Sequence, residues 1–346
     1  MGKFDSMLRS NCCCSYGDKI IYISEGYRFF FEFNTLTGET TALDWPKTKS
    51  RPAKIFYYKD VFYAIDSYGK WIGKLLEDSA RFEYTELTKG TECKGFACIA
   101  IYKGRFYMFD KNNMKMFVFN PSTGKIELID IGSIIPLKDC FNTVACSGNT
   151  FYLLSGESEK IILFSLDDYS YREVAAKGLH KTIDYAVVYN GIIYYVARNT
   201  IYMIENATVR ELAHITDANA ITKICVTEKH IFTLPGTSDS IYRCSKETHV
   251  VEQICDCPID LEYDSSLEWT RYKSCVEVHG IVYWIARVGN YSLAIDKANS
   301  ELRWMKNSLV NAETLSKMVL DRYSVVDEKL VDLNTFISLL DEGSSP

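Results

Sequence analysis

Apolar and polar positions alternate along this chain in short bursts, and one arrangement of them recurs seven times. Each unit has an apolar run, a small polar turn, a second apolar run bearing an aromatic, a polar gap, a third run, another turn and a fourth run. The aromatic falls at Tyr22, Tyr63, Tyr107, Tyr152, Tyr194, Phe232 and Tyr283, in steps of 41, 44, 45, 42, 38 and 51 residues. Short apolar runs bounded by Gly, Asn and Pro turns read as strands rather than helices. Four such strands in a unit of this size are the signature of a propeller blade. The pattern therefore predicts an all-β protein, a seven-bladed β-propeller of four-stranded antiparallel blades.

The third unit shows the order best. Residues 96–102 form the inner strand, a, and Lys103-Gly104 makes a two-residue turn in which glycine supplies positive φ. Arg105 to Phe109 is strand b, Met116 to Phe119 strand c, Asn120-Pro121-Ser122-Thr123-Gly124 a turn, and Lys125 to Ile129 the outer strand d. The same reading gives blades at 6–45, 52–88, 94–130, 140–175, 183–215, 221–255 and 272–306. A single blade is apolar on both faces, so only neighbours on each side remove it from water, and seven blades should close into one body. After residue 306 the rhythm stops. In 307–346, Leu315, Met318, Val319, Val326, Leu330, Leu333, Phe336 and Leu340 recur at helical steps, and Asn311 stands where a cap is expected. The tail reads as one or two amphipathic helices docked on the propeller. The alternative pairs Tyr323–Val326 with Lys329–Leu333 as closing strands.

Composition changes this picture little. Of 346 residues, 47% are hydrophobic, with 24 Tyr and 18 Phe against 7 Pro, which suits strands and a large core. The net charge of −6 argues against nucleic acid as a partner. The chain shows no signal-peptide pattern and no apolar stretch of membrane-spanning length, so the expectation is a cytoplasmic protein with no membrane partner. Met1-Gly2 with Ser6 fits the bare myristoylation pattern, but Met7 and Leu8 read as the start of the first strand.

Twelve cysteines look like a metal or disulfide signal until they are placed. Cys14, Cys98, Cys146, Cys225 and Cys275 each fall on the first strand of a different repeat. That strand lines the narrow channel of a propeller, where small side chains fit and cysteine behaves as a small hydrophobe. No cysteine pair has zinc-ligand spacing, and the five histidines have none either. No Gly-rich phosphate loop or nucleophile elbow occurs, so no cofactor, metal or catalytic residue is indicated.

Tyr-Lys-Gly-Arg-Phe-Tyr at 102–107, Tyr-Asn-Gly-Ile-Ile-Tyr at 189–194 and Phe-Asn-Pro-Ser-Thr-Gly-Lys-Ile-Glu-Leu at 119–128 resemble the words of kelch-type propellers. The resemblance covers 6–306 as a pattern and implies a binding scaffold. Kelch repeats end strand b in Gly-Gly. Here those slots hold Ile65-Asp66, Phe109-Asp110, Leu154-Ser155, Val196-Ala197 and Ile285-Ala286, which marks a diverged member.

In a propeller the b–c and d–a loops share one face around the channel mouth. Lys54, Lys94, Lys223 and Lys273 recur where strand a begins and predict a basic ring able to attract an anion or an acidic peptide. The 46–54 loop adds Lys47, Lys49 and Arg51. The longest d–a connection, 259–271, carries Tyr263, Trp269 and Arg271, residue types that anchor interfaces. Trp71, Arg198, Arg287, Asp66 and Asp110 are expected on the b–c loops. The leading expectation is a non-catalytic module that holds a protein or peptide on this face. The alternative is an enzyme or carbohydrate-binding protein with its site at the channel mouth.

Overall fold

In the computed structural model the repeats become seven sheets, each with four strands in chain order, inner to outer, and neighbouring pairs among those four antiparallel. The structure describes residues 10–24, 28–76, 81–88, 93, 95–135, 141, 143–216, 221–235, 240–256, 258, 272–287 and 291–323. The sheets span 10–43, 52–86, 98–130, 143–175, 185–214, 221–256 and 272–306. Helix among the described residues is confined to Ile131–Ile134 and Ala312–Tyr323, and none is long and apolar enough to cross a membrane. The amino-terminal residues that carry the myristoylation pattern lie outside the described residues.

The a–b turns form as their sequences require. Lys103-Gly104, Asn190-Gly191 and His279-Gly280 all have positive φ at both positions, the geometry that matches the twist of the flanking strands. Lys59-Asp60 adopts it without glycine. At the ends of strands c, short polar side chains bend the chain back: Asn34 Oδ1 accepts from the Leu36 and Thr37 amides, Asn120 Oδ1 from Ser122, and Asp296 Oδ1 from Ala298 and Asn299.

The apolar residues form seven wedges rather than one contiguous core, one wedge between each pair of adjacent blades. The two-residue period of a strand explains the division, because successive side chains point to opposite neighbours. In blade 3, Phe106 and Met108 pack on blade 2, while Tyr107 and Phe109 pack on blade 4. Six of the seven marker aromatics are buried and Tyr152 is half-buried. Each fully buried aromatic stabilises the fold by roughly 1.5–3 kcal/mol, and that burial exists only when the neighbouring blade is present.

The wedge between blades 7 and 1 has an extra part. Ser308–Leu309 adds a fifth strand to blade 1, parallel to Glu39–Leu43, and Val310 N donates to Thr40 O at 2.9 Å. Asn311, expected as a helix cap, instead uses its side chain as a substitute peptide group. Its Oδ1 accepts from Ala42 N at 2.7 Å and its Nδ2 donates to Ala42 O at 3.0 Å. The helix Ala312–Tyr323 then buries Leu315 and Met318 in the same wedge. The alternative strand pairing, 323–326 with 329–333, and the rest of the tail to 346 lie outside the described residues apart from Tyr323, which ends this helix.

Candidate functional site

The first strands of neighbouring blades touch one another, 10–16 with 52–58 and 272–278, and 143–147 with 98–102 and 185–189, so they surround the centre. Each begins at a d–a connection, which places the starts of strands a and the ends of strands b on one face. Cys14, Cys98, Cys146, Cys225 and Cys275 all lie on these inner strands, with Cys12 and Cys13 beside Cys14, and the described cysteines form no disulfide with one another. Burial pushes the Cys13 and Cys225 thiols up to about 12, which keeps them protonated and unreactive at neutral pH. Cys98 and Cys146 share a hydrogen bond between blades 3 and 4, which drives Cys98 up and Cys146 down. The Tyr185 hydroxyl reaches within electrostatic range of Cys275, Cys225 and Cys98, and burial raises its pKa.

Three cations stand at the mouth of this channel, with Lys54 and Arg287 within electrostatic range of Lys223. Lys54 is the third residue of the strand Pro52–Tyr58, Lys223 the third of Ile221–Val226, and Arg287 directly follows Ile281–Ala286. The Lys223 ammonium lies 5.5 Å from the centroids of both Tyr185 and Trp284, a cation held against two aromatic faces. Burial lowers its pKa, and the charges of Lys54 and Arg287 lower it further, partly offset by Cys275 and Cys13. Blades 2, 6 and 7 thus supply a joint positive potential at one place.

A second basic feature is the 46–54 loop. Arg28 donates to the carbonyls of Thr48 and Lys49, both at 3.0 Å. Tyr84 Oη accepts from Lys49 N at 2.7 Å, Ser50 Oγ donates to Asp66, and Ser67 N donates to Arg51 O at 3.1 Å. These bonds fix the loop backbone against blade 2 and leave the Lys49 and Arg51 side chains exposed. Tyr68, 65% exposed, stands on the adjoining b–c loop.

Of the residues expected in the basic ring, Lys54 lies within electrostatic range of Lys223, as does Arg287 from the b–c loops. Lys94, Tyr263, Trp269 and Arg271 lie outside the described residues, as does the side chain of Lys273. Arg198 is exposed on the b–c turn of blade 5 with positive φ. Its amide donates to Asp184 Oδ2 at 2.6 Å and its carbonyl accepts from Ile221 N at 2.9 Å. Trp71 is not a face residue. It is 6% exposed, opens strand c of blade 2 and packs edge-on against Tyr84. Asp66 and Asp110, expected to offer carboxylates to the face, are buried and turned inward. Asp66 accepts from the amides of Tyr68 and Lys70, and Asp110 from those of Asn112 and Asn113. They shape the b–c loops where a kelch blade has glycines. Tyr185 and Trp284 are contributors that spacing did not single out, whereas Arg28 was expected on the b–c loop of blade 1. The one available signal was Tyr185, a large residue opening a strand a that begins small or polar in most other blades.

Among the described residues, no group of three or more His, Cys, Asp or Glu side chains could hold a metal ion. No protein-family model matches the sequence, and no curated protein matches it. Solved structures do resemble it. A streptogramin B lyase superposes with a TM-score of 0.59 at 13% identity, over 82% of this chain and 92% of that one. An inactive variant of virginiamycin B lyase from Staphylococcus aureus, solved with quinupristin, gives 0.58 at 12% identity over 81% and 92%. At such identities the likeness carries architecture and no activity. With seven four-stranded antiparallel sheets joined by seven apolar wedges, the chain is a seven-bladed β-propeller.

Proposed function

We propose that this propeller is a diverged kelch-like binding module that holds an acidic protein or peptide segment on the face of its b–c and d–a loops. The observation that carries this reading is the 46–54 loop, whose backbone is held by Arg28 and Tyr84 and whose Ser50 hydroxyl is held by Asp66, while Lys49 and Arg51 stay exposed near exposed Tyr68. A preordered loop loses less conformational entropy on binding than a floppy one, and an exposed tyrosine next to cations suits an interface anchor. The cations at the channel mouth extend the positive surface toward the centre of the face. Tyr263, Trp269 and Arg271 on the 259–271 connection are proposed as further contacts. The alternative of glycosidase-type chemistry is weaker, because Asp66 and Asp110 already accept loop hydrogen bonds.

The test is titration of the full chain with fluorescent peptides that are Glu-rich, neutral or Lys-rich. The Glu-rich peptide should bind, less tightly as salt rises. Lys49→Glu with Arg51→Glu should weaken it by about tenfold or more, equivalent to ~1.4 kcal/mol. Equal binding of all three peptides, or no response to the charge reversal, would contradict the reading.

A further inference from the structure

At the channel mouth, the inner strands of one arc of the ring share an irregularity that the other inner strands lack. In four consecutive blades, 6, 7, 1 and 2, the pairing of strand a with strand b shifts by one residue, at Ile221/Lys223, Tyr272/Ser274, Ser10/Cys12 and Pro52/Lys54. The first strands of blades 3, 4 and 5 pair without a shift. The extra residue is Thr222, Lys273, Asn11 and Ala53 in turn, and Lys223 and Lys54 each directly follow one. A β-bulge bends its strand and re-aims the side chains beside it, and bulges concentrate next to functional sites. The same device, at the same depth, thus sets both lysines in one arc of the ring.

The groups in this arc share one chemical character. Lys54 and Lys223 are donors without acceptor capacity, as is the Arg287 guanidinium. The Trp284 indole, against which Lys223 lies, is 1% exposed, and its Nε1–H has no hydrogen-bond partner among the described residues. The positive charges of Lys54 and Arg287, from two other blades, both act on Lys223 here. That repulsion falls when a ligand brings two or more negative charges between them. Charge-assisted bonds from ammonium and guanidinium groups to oxyanions are the strong class of hydrogen bond. Lys223 is held between the rings of Tyr185 and Trp284, beside the inner strands.

We propose that the channel mouth binds a small oxyanion of charge two or more, held by Lys54, Lys223 and Arg287 on the bulged arc of blades 6, 7, 1 and 2. This site shares Lys54 with the end of the 46–54 loop but uses neither Lys49 nor Arg51, and it stands whether or not those two hold an acidic partner. The shared chemistry admits a phosphoryl or a carboxylate group.

The full chain is titrated calorimetrically with pyrophosphate, citrate and acetate at constant ionic strength, with tryptophan emission followed in parallel. The expected result is saturable 1:1 binding of pyrophosphate or citrate, with acetate far weaker. Binding of pyrophosphate alone assigns a phosphoryl ligand, and of citrate alone a carboxylate one. Lys54→Gln and Lys223→Met should each weaken binding by about tenfold, ~1.4 kcal/mol. Lys49→Gln should leave it unchanged, and Trp284→Phe should remove the emission change while heat is still released. Should Lys223→Met fail to fold, Lys54→Gln decides alone. No saturable heat with either polyanion, acetate binding equally well, or a loss that follows Lys49 rather than Lys54 would overturn the proposal.

Discussion

Cys13 shows how burial alone can set a residue's chemistry. It is 1% exposed, and burial raises its thiol from an ordinary value of 9.0 to about 12. Ser274 hydrogen-bonds it, Cys275 adds to the rise, and Lys54 and Lys223 oppose it. Cys225 is likewise raised to about 12, and Cys244 to about 11, by burial. A folded-state pKa above the unfolded one means that the stabilisation is complete below about pH 9. It is lost as pH climbs toward the folded values, because only the unfolded chain releases these protons. Lys223 and Lys246, with pKa values lowered by burial, act in the opposite sense within the alkaline range, two groups against several. Urea midpoints should therefore fall from about pH 9 upward, each such thiol contributing about 1.4 kcal/mol per pH unit. Cys13→Ala should flatten that slope by about one thiol's share. An unchanged slope in this variant would mean that the Cys13 side chain is not buried in the folded ring.

At the scale of elements, the closure between blades 7 and 1 depends on short pieces. Blade 7 and blade 1 each have four strands of their own, so the seam does not borrow a strand from either end. It is covered instead by Ser308–Leu309, by Asn311 on the backbone of Ala42, and by Leu315 and Met318. Asn311→Ala removes two hydrogen bonds and leaves a half-buried peptide group wanting both. It should lower stability by about 1–2 kcal/mol, read as a lower urea midpoint at constant m-value. A midpoint equal to wild type would show that the Asn311–Ala42 pairing contributes nothing to the seam. The helix bearing Leu315 and Met318 was legible from its spacing, but the strand and the Asn311 contact were not, since a two-residue parallel strand leaves no periodic signal and an asparagine before a helix reads as a cap. The a–b hairpins were legible because glycine, asparagine and aspartate at positive φ leave few other options. Trp71 was misread because it directly follows the polar stretch Asp66–Lys70, and strand c begins one residue earlier than the loop chemistry implied. The bulges that aim Lys54 and Lys223 could not be seen, because one extra residue in a strand of mixed polarity looks like ordinary variation.

For the whole molecule, the sequence repeat conveyed the architecture because each blade needs two neighbours to bury its faces. The site was only partly readable, because it is made by closure. Lys54 and Lys223 lie on blades 2 and 6, far apart in sequence, and meet only if the ring is complete and turns both bulges inward. That convergence underlies both the fold and the anion site, and it leaves a signature in the titration of one ammonium group. NMR of the full chain with side-chain-labelled lysine, titrated through the alkaline range, measures it. Lys223 should titrate below the ordinary lysine value of 10.5, and Lys54→Gln should shift it upward by removing a neighbouring like charge. A Lys223 that titrates normally, or that does not respond to Lys54→Gln, would contradict the convergence of these blades on one channel mouth.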